Sequence, residues 1–186
     1  MTMTFPQHWT TGRTRIDVVR TEEAEVLTAL FNSSSNIEEL DPTFYTIEVM
    51  EVLGHIEESQ RCETLERGFR MQAIRLAETN DLIGYFHFRE ATPKPDVVAL
   101  TMFFIRPEYR SLGYGREVVD ELLRHLSNDP MNHAAWGEVY LKNIPALRFW
   151  TRRGFNKIVE HKGQYIHLEG EHASIFLERI LQPQAG

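Results

Sequence analysis

Cys62 is the only cysteine among 186 residues, which excludes an internal disulfide and any zinc site built on cysteine pairs. A lone thiol suits a reducing compartment, so a cytoplasmic protein is expected. No stretch approaches the roughly 20 apolar residues that a membrane-spanning helix needs. Residues 1–9 carry neither the basic cluster nor the apolar segment of an export signal, so no membrane association is expected. Basic residues are also in the minority: 20 Lys and Arg against 27 Asp and Glu give a net charge of −7. That balance argues against nucleic-acid binding, whose affinity rests on neutralising phosphates. Internal repeats and low-complexity tracts are missing too.

What is present suits one globular domain over residues 1–186, with 42 % hydrophobic and 25 % charged residues. Residues 1–13 and 182–186 are expected to be loose ends. The charge is unevenly spread. Residues 21–66 hold twelve carboxylates against the single Arg61, a local balance of −11. Over 142–162 the sign reverses, with Lys142, Arg148, Arg152, Arg153, Lys157 and Lys162 facing only Glu160. Such a division suits a cationic substrate and an anionic one on two sides of a cleft, and it equally suits two solvated faces.

Hydrophobic periodicity orders the chain. A first strand is read at 15–20 around Ile16, Val18 and Val19. A helix follows, with Thr21 as its N-cap and running to about Phe31, and Glu22 and Glu23 stand in its first turn where the dipole favours them. Three serines between Asn32 and Asn36 break the pattern, a short helical turn is possible at 37–40, and Asp41-Pro42 marks another turn. Ile47, Met50, Leu53 and Ile56 space out a second helix over 46–60. Strands at 69–77 and 82–89 form a hairpin, and a stiff Pro93/Pro95 connection leads to a third antiparallel strand.

That third strand, Val97–Ile105, is apolar, β-branched and aromatic, as a strand buried on both faces reads. Arg110, Gly113 and Gly115 follow at Arg-x-x-Gly-x-Gly spacing. An amphipathic helix with Val118, Val119, Leu122, Leu123 and Leu126 on one face comes next. A glycine turn feeding a helix N-terminus is an anion site, because unpaired N–H groups and the macrodipole point at the guest. Arg110 and Arg116 add charge at its rim. The same turn also serves as plain geometry, so the glycines alone do not decide.

After a stop at Asn128-Asp129-Pro130, a strand at 135–141 is expected to lie parallel to the strand at 97–105, by a right-handed crossover. Asn143 then caps a short helix with Pro145 early and Gly154 late. Strands at 155–161 and 173–181 close the chain, and their exposure permits a homodimer. Two other phosphate motifs fail locally. A nucleoside-triphosphatase turn needs Lys-Ser/Thr where Arg116-Glu117 stand, and a dinucleotide fingerprint needs a small residue at Val118. His161, His167 and His172 match no metal-binding spacing.

The two motifs in this order, Arg110-Ser111-Leu112-Gly113-Tyr114-Gly115 and Asn143 with Ala146, Phe149, Trp150, Gly154 and Phe155, resemble the GNAT superfamily of acyl-CoA-dependent N-acetyltransferases. The resemblance spans nearly the whole chain from about Arg15. It implies an α/β (α+β) fold: a single domain with a mixed, mostly antiparallel sheet, splayed parallel strands and about four flanking helices. It further implies acetyl-CoA as acyl donor and an amine as acceptor. Carried onto this sequence, backbone groups of Phe103, Phe104 and Ile105 would pair with the pantetheine arm. Arg110, Ser111, Leu112, Gly113, Tyr114, Gly115 and Arg116 would cradle the pyrophosphate. Asn143 would hydrogen-bond the arm, and Phe149 would pack beside it.

Two positions depart from the family pattern. Trp150 stands where many members have a tyrosine acid, and an indole N–H is a donor but no practical acid. The strand at 97–105 also lacks the carboxylate that often serves as base; Asp96 sits just outside it. Substitutes are His87, Glu90, Glu138, Glu38, Glu39 and Asp41, with Tyr114 as a further proton donor. The catalytic residues are left unassigned, and a non-catalytic acyl-CoA-binding or sensing module is the alternative.

Overall fold

The computed structural model describes residues 5–33, 40, 46–63, 67–163 and 172–181. Among these residues eight strands form one sheet in the order β1-β2-β3-β4-β5-β6-β8-β7. They are β1 His8–Thr10, β2 Thr14–Val18, β3 Phe69–Leu76, β4 Leu82–Glu90, β5 Val97–Ile105, β6 Ala134–Tyr140, β7 Lys157–Lys162 and β8 Ser174–Ile180. Every neighbouring pair is antiparallel except β5 and β6. Among the described residues the four α-helices are α1 Ala24–Asn32, α2 Val49–Cys62, α3 Tyr114–Ser127 and α4 Ile144–Arg152. The parallel pair, the hairpin and the helix count thus stand as the sequence led us to expect. The helical turn expected at 37–40 lies almost wholly outside the described residues. Among the described residues no helix is long and apolar enough to cross a membrane.

The expectation of a loose lead over residues 1–13 is corrected for its described part, residues 5–13. Residues 8–10 pair with 15–17 as strand β1. Phe5 and Trp9 are buried against the core, and Trp9 Nε1 donates to Gln72 Oε1 at 2.9 Å. Two aromatics among polar residues anchor the segment, since burying each removes a large apolar area from water. Thr21 is also not the helix cap: a 3₁₀ turn over Thr21–Glu23 precedes α1, with Arg20 at its start donating its backbone N–H to Glu23.

Each face of the sheet has its own core. On one face α3 lays Val118, Val119, Leu122, Leu123 and Leu126, all essentially fully buried, onto Ile16, Ile74, Ile83, Phe86, Phe88 and Val98. Burial of each such side chain contributes about 1.5–3 kcal/mol. On the other face α1 and α2 cover Met71, Ala73, Tyr85 and Phe104 with Leu27, Leu30, Phe31, Val52 and Ile56. Asn32 fixes the excursion between these helices by exchanging two hydrogen bonds with the Ile47 backbone, both at 3.0 Å.

One irregularity shapes the centre of the sheet. His87 pairs with Met102 and Phe88 with Leu100, so Thr101 is an extra residue in β5. The bulge reverses the side-chain alternation. Val98 and Leu100 before it, and Phe103 and Ile105 after it, therefore all pack with the α3 core. Thr101 is the one polar residue in that strand. Further along, β4 needs a glycine across from Ile105: a Cβ on Gly84 would lie 2.2 Å from the Phe104 carbonyl oxygen.

Candidate active site

β5 and β6 share register only from Val97↔Ala134 to Leu100↔Gly137. Beyond that pair β5 stays with β4 out to Ile105, and β6 stays with β8 out to Tyr140. The two parallel strands therefore part, and the wedge opens into a cavity of about 720 Å³. All the residues expected to hold the donor line this cavity except Leu112 and Tyr114. The widening backbone edge of residues 101–105 forms one wall, and α4 with its preceding turn forms the other.

At the wide end stands the N-terminus of α3. Gly113 begins the helix at φ 92°, and no side chain caps it, so its first N–H groups remain for a guest. Ser111 takes the left-handed conformation too, at φ 61°, which costs a non-glycine residue about 1–2 kcal/mol. Gly115 lies against two aromatic rings: a Cβ there would make ordinary contact with Phe103 and Phe149 at 3.4 and 3.6 Å, which leaves little room for a longer side chain. Arg110 is turned inward, with Nε donating to the Ile105 carbonyl at 2.7 Å and its guanidinium 5.4 Å from the Phe104 ring centre. It ties the turn to β5.

The two residues that do not line the cavity belong to a brace that sequence reasoning missed. Arg13, in the β1–β2 turn, donates Nε to Glu117 at 2.8 Å and Nη2 to the Leu112 carbonyl at 3.1 Å. Its guanidinium lies 4.3 Å from the centre of the Tyr114 ring, and Thr11 adds a bond to Glu117 at 3.2 Å. The hydrogen bond from Arg13, with its charge, holds the Glu117 carboxyl below the usual carboxylate range. Nothing in local spacing announces this contact, which joins positions over a hundred residues apart.

Along the opposite wall Asn143 is buried, its Oδ1 accepting from Ala146 N at 3.1 Å as the cap of α4. Its Nδ2 has no partner among the described residues and is the group left for a ligand. Phe149 stacks on Phe103, 5.9 Å apart and 20° from parallel. Trp150 meets Phe103, Phe149 and Phe155 edge-on at 5.0–5.9 Å. The indole is thus packed as a wall. At the rim Arg153 pairs with Asp120 at 3.5 Å. Arg116, Arg148 and Arg152 line the cavity and enter no ion pair among the described residues.

The residues considered for proton transfer scatter. His87 is buried beneath the α2 face with Nδ1 2.6 Å from Thr101 Oγ1, and burial pushes its pKa down to about 3. It is neutral and enclosed. Glu90 is buried at the end of β4 remote from the glycine turn, where it accepts from Gly68 N; burial raises its pKa. Tyr114 sits under Arg13. Glu38, Glu39 and Asp41 lie outside the described residues, as does His167. Among the described candidates Glu138 alone lines the cavity. Among the described residues no group of three His, Cys, Asp or Glu is placed to hold a metal ion.

The acidic run is less free than its count suggests. Residues from outside the run neutralise part of it: Arg75 pairs with Glu23, Arg89 with Glu58 and Arg20 with Glu63. Hydrogen bonding to Arg89 keeps Glu58 below its ordinary pKa.

The family model for the GNAT acetyltransferases matches residues 34–155, well over half of the chain. The chain belongs to the GNAT acetyltransferase family. Solved GNAT structures share its architecture. The ribosomal L7/L12 α-N-protein acetyltransferase RimL, in complex with coenzyme A, superposes with a TM-score of 0.73 at 16 % identity, over 98 % of this chain and 100 % of that one. A GNAT-family acetyltransferase from Bacillus anthracis gives 0.72 at 14 % identity, over 93 % and 98 %. The spermidine N-acetyltransferase of Vibrio cholerae, in complex with coenzyme A and spermine, gives 0.69 at 16 %, over 90 % and 95 %. No curated protein matches the chain in sequence. Identities this low carry the fold alone, so the GNAT chain's own acceptor must be argued from its residues.

Proposed function

We propose that this GNAT enzyme transfers an acetyl group from acetyl-CoA to an amine of a cationic small molecule or peptide, by direct attack of the amine on the thioester. The carrying observation is the wedge between β5 and β6, which runs from an uncapped helix N-terminus to the bulge at Thr101. The turn at 110–116 takes the pyrophosphate on its N–H groups. The edge of residues 103–105 takes the pantetheine amides as an added strand would, with Asn143 Nδ2 and the Phe149 ring alongside. Arg116, Arg148 and Arg152 supply the basic rim that suits the 3′-phosphate.

Direct attack needs a neutral amine, a held thioester and a donor for the oxyanion. Backbone N–H groups where the strands part fill the last need. Trp150 offers no acid, yet a thiol of pKa about 8.5 leaves tolerably as a thiolate near neutrality. A cationic acceptor is favoured by the net charge of −7 and by the carboxylate excess of residues 21–66. The single thiol, Cys62, suits work in the cytoplasm.

Trp150 also favours a second reading, a module that binds acyl-CoA without turning it over. One experiment separates the two: thermal unfolding with acetyl-CoA, followed by free-thiol release over a panel of polyamines, aminoglycosides and peptides. Acetyl-CoA at a hundred times its Kd should add about 2.7 kcal/mol of stability, and thiol should appear with at least one cationic amine. Stabilisation without thiol release would favour the binding module, and no stabilisation would sink both.

A further inference from the structure

The wedge has a closed end as well as a wide one, and the closed end carries a side chain not yet given a role. The last shared pair of the parallel strands is Leu100↔Gly137. The next residues along the two strands are Thr101, at the bulge, and Glu138. Both line the cavity and both are exposed to it. Ala135 and Val139 pack with the α3 core, so strand alternation turns Glu138 to the other face, with Trp136. An arm entering at Gly113 and running along residues 105 to 101 ends beside these two positions.

Among the described residues Glu138 is the only carboxylate that lines the cavity, and no histidine among them lines it. A neighbouring carboxylate on the same face provides the contrast. Glu178, cross-strand from Trp136, has both oxygens engaged, by Lys157 Nζ at 2.6 Å and Trp136 Nε1 at 2.8 Å. Glu138 accepts a single hydrogen bond among the described residues, from Ser174 Oγ to Oε1 at 2.5 Å. Ser174 is itself buried, at 2 % exposure, and fixed where β8 pairs with β6. One oxygen is therefore held by a rigid partner, and Oε2 has no partner among the described residues, in a cavity whose other ionisable groups among them are arginines and tyrosines. A held carboxylate with one uncommitted oxygen is what a positioned proton acceptor requires.

We propose that Glu138 takes the proton from the acceptor's ammonium, with Ser174 as its positioning residue. The inference rests on the transferase reading. Glu138 accepts one proton from R–NH3⁺ and becomes a carboxylic acid, which leaves a nitrogen lone pair. That pair forms the C–N bond at the thioester carbonyl carbon, and the carbonyl π pair moves onto oxygen. The C=O re-forms as the C–S bond breaks, its electron pair leaving on sulfur as a thiolate. The thiolate takes the second nitrogen proton to give the free thiol, and Glu138 returns its proton to solvent. Charge and atoms balance without a further reactant. A base on β6 also explains how β5 can lack a carboxylate, since the two strands meet at the same point of the cleft.

The test uses the full chain, acetyl-CoA and the amine found by thiol release, with wild type, Glu138→Gln and Ser174→Ala side by side. Glu138→Gln should lower kcat by about 10²–10⁴-fold, keep the acetyl-CoA thermal shift and abolish the acidic limb of the kcat/KM profile. Ser174→Ala should lower kcat by about 10-fold with little change in the acetyl-CoA KM, because the base is mis-aimed rather than lost. Should Glu138→Gln fail to fold, unchanged kcat in Ser174→Ala overturns the proposal and the kcat loss sustains it. A Glu138→Gln enzyme with a raised acceptor KM but unchanged kcat and limb would make Glu138 an ammonium anchor and overturn the base. Wild type that binds acetyl-CoA but releases thiol with no amine overturns the transferase reading, and this role with it. Wild-type turnover matched by Glu138→Gln overturns this role alone.

Discussion

The wide and closed ends of the cleft are built from different materials. At the wide end most of the ligand-facing groups are main chain: the N-terminus of α3, a turn with two left-handed residues and the strand edge that follows Leu100. At the closed end they are side chains brought from separate strands, Thr101 on β5 and Glu138 on β6, the latter held by buried Ser174 on β8. Main-chain groups recur at every residue, so a site made of them is specified by where the chain turns. A site made of side chains is specified residue by residue. The first kind suits a donor shared across a family, and the second suits an acceptor that differs between members.

That contrast can be broken in order of expected size. Gly115→Leu drives a side chain between Phe103 and Phe149; overpacking of about 1–3 kcal/mol should weaken acetyl-CoA binding by about 10- to 100-fold. Calorimetric titration would read it, and unaltered affinity would mean the donor does not use this turn. The second test concerns the floor beneath the closed end. An unfolded histidine takes a proton near pH 6.5, whereas folded His87 does so only near 3. The unfolded state then binds more protons between those values, so stability is present above pH 6.5 and falls as pH drops. The loss should reach about 2 kcal/mol at pH 5, read as a lower denaturant midpoint, with His87→Gln showing a flatter dependence.

At the basic rim, Arg148→Ala with Arg152→Ala should weaken acetyl-CoA by about 10-fold or more, as charged hydrogen bonds of about 1.5–3 kcal/mol are lost. Binding of 3′-dephospho-acetyl-CoA should change far less, and equal losses for both donors would remove the rim from 3′-phosphate recognition. The smallest effect belongs to Arg13→Ala, which leaves every cavity-lining residue in place and frees the turn at one edge. Acetyl-CoA KM should rise only a few-fold, while the fold keeps its far-ultraviolet spectrum. A change in acceptor KM instead would erase the division between the two ends.

Legibility in sequence follows the same division. Glycines at 113 and 115, the apolar run of β5 and the Asn143 cap announce main-chain geometry through local spacing, so the donor end could be read without coordinates. Strand register could not. Glu138 stood among six substitutes because nothing local says which strand end opens into the cleft. His87 and Glu90 read as equally polar residues on β4, and only burial separates them from the cavity. The bulge had one signal, a threonine inside an otherwise apolar strand, whose meaning depends on the partner strand. The N-terminal lead was misjudged because anchoring by Phe5 and Trp9 depends on α3, far along the chain.

The tie between Arg13 and Glu117 carries a consequence for the order in which the molecule assembles. Its partners are 104 positions apart, so closing that loop costs chain entropy that helix α3 and the β3–β4 hairpin, made of near neighbours, do not incur. The helix and hairpin can form while the opening residues still wander. Competence to hold the donor therefore ripens late, when the segment leading into β2 finally settles against the distant helix α3.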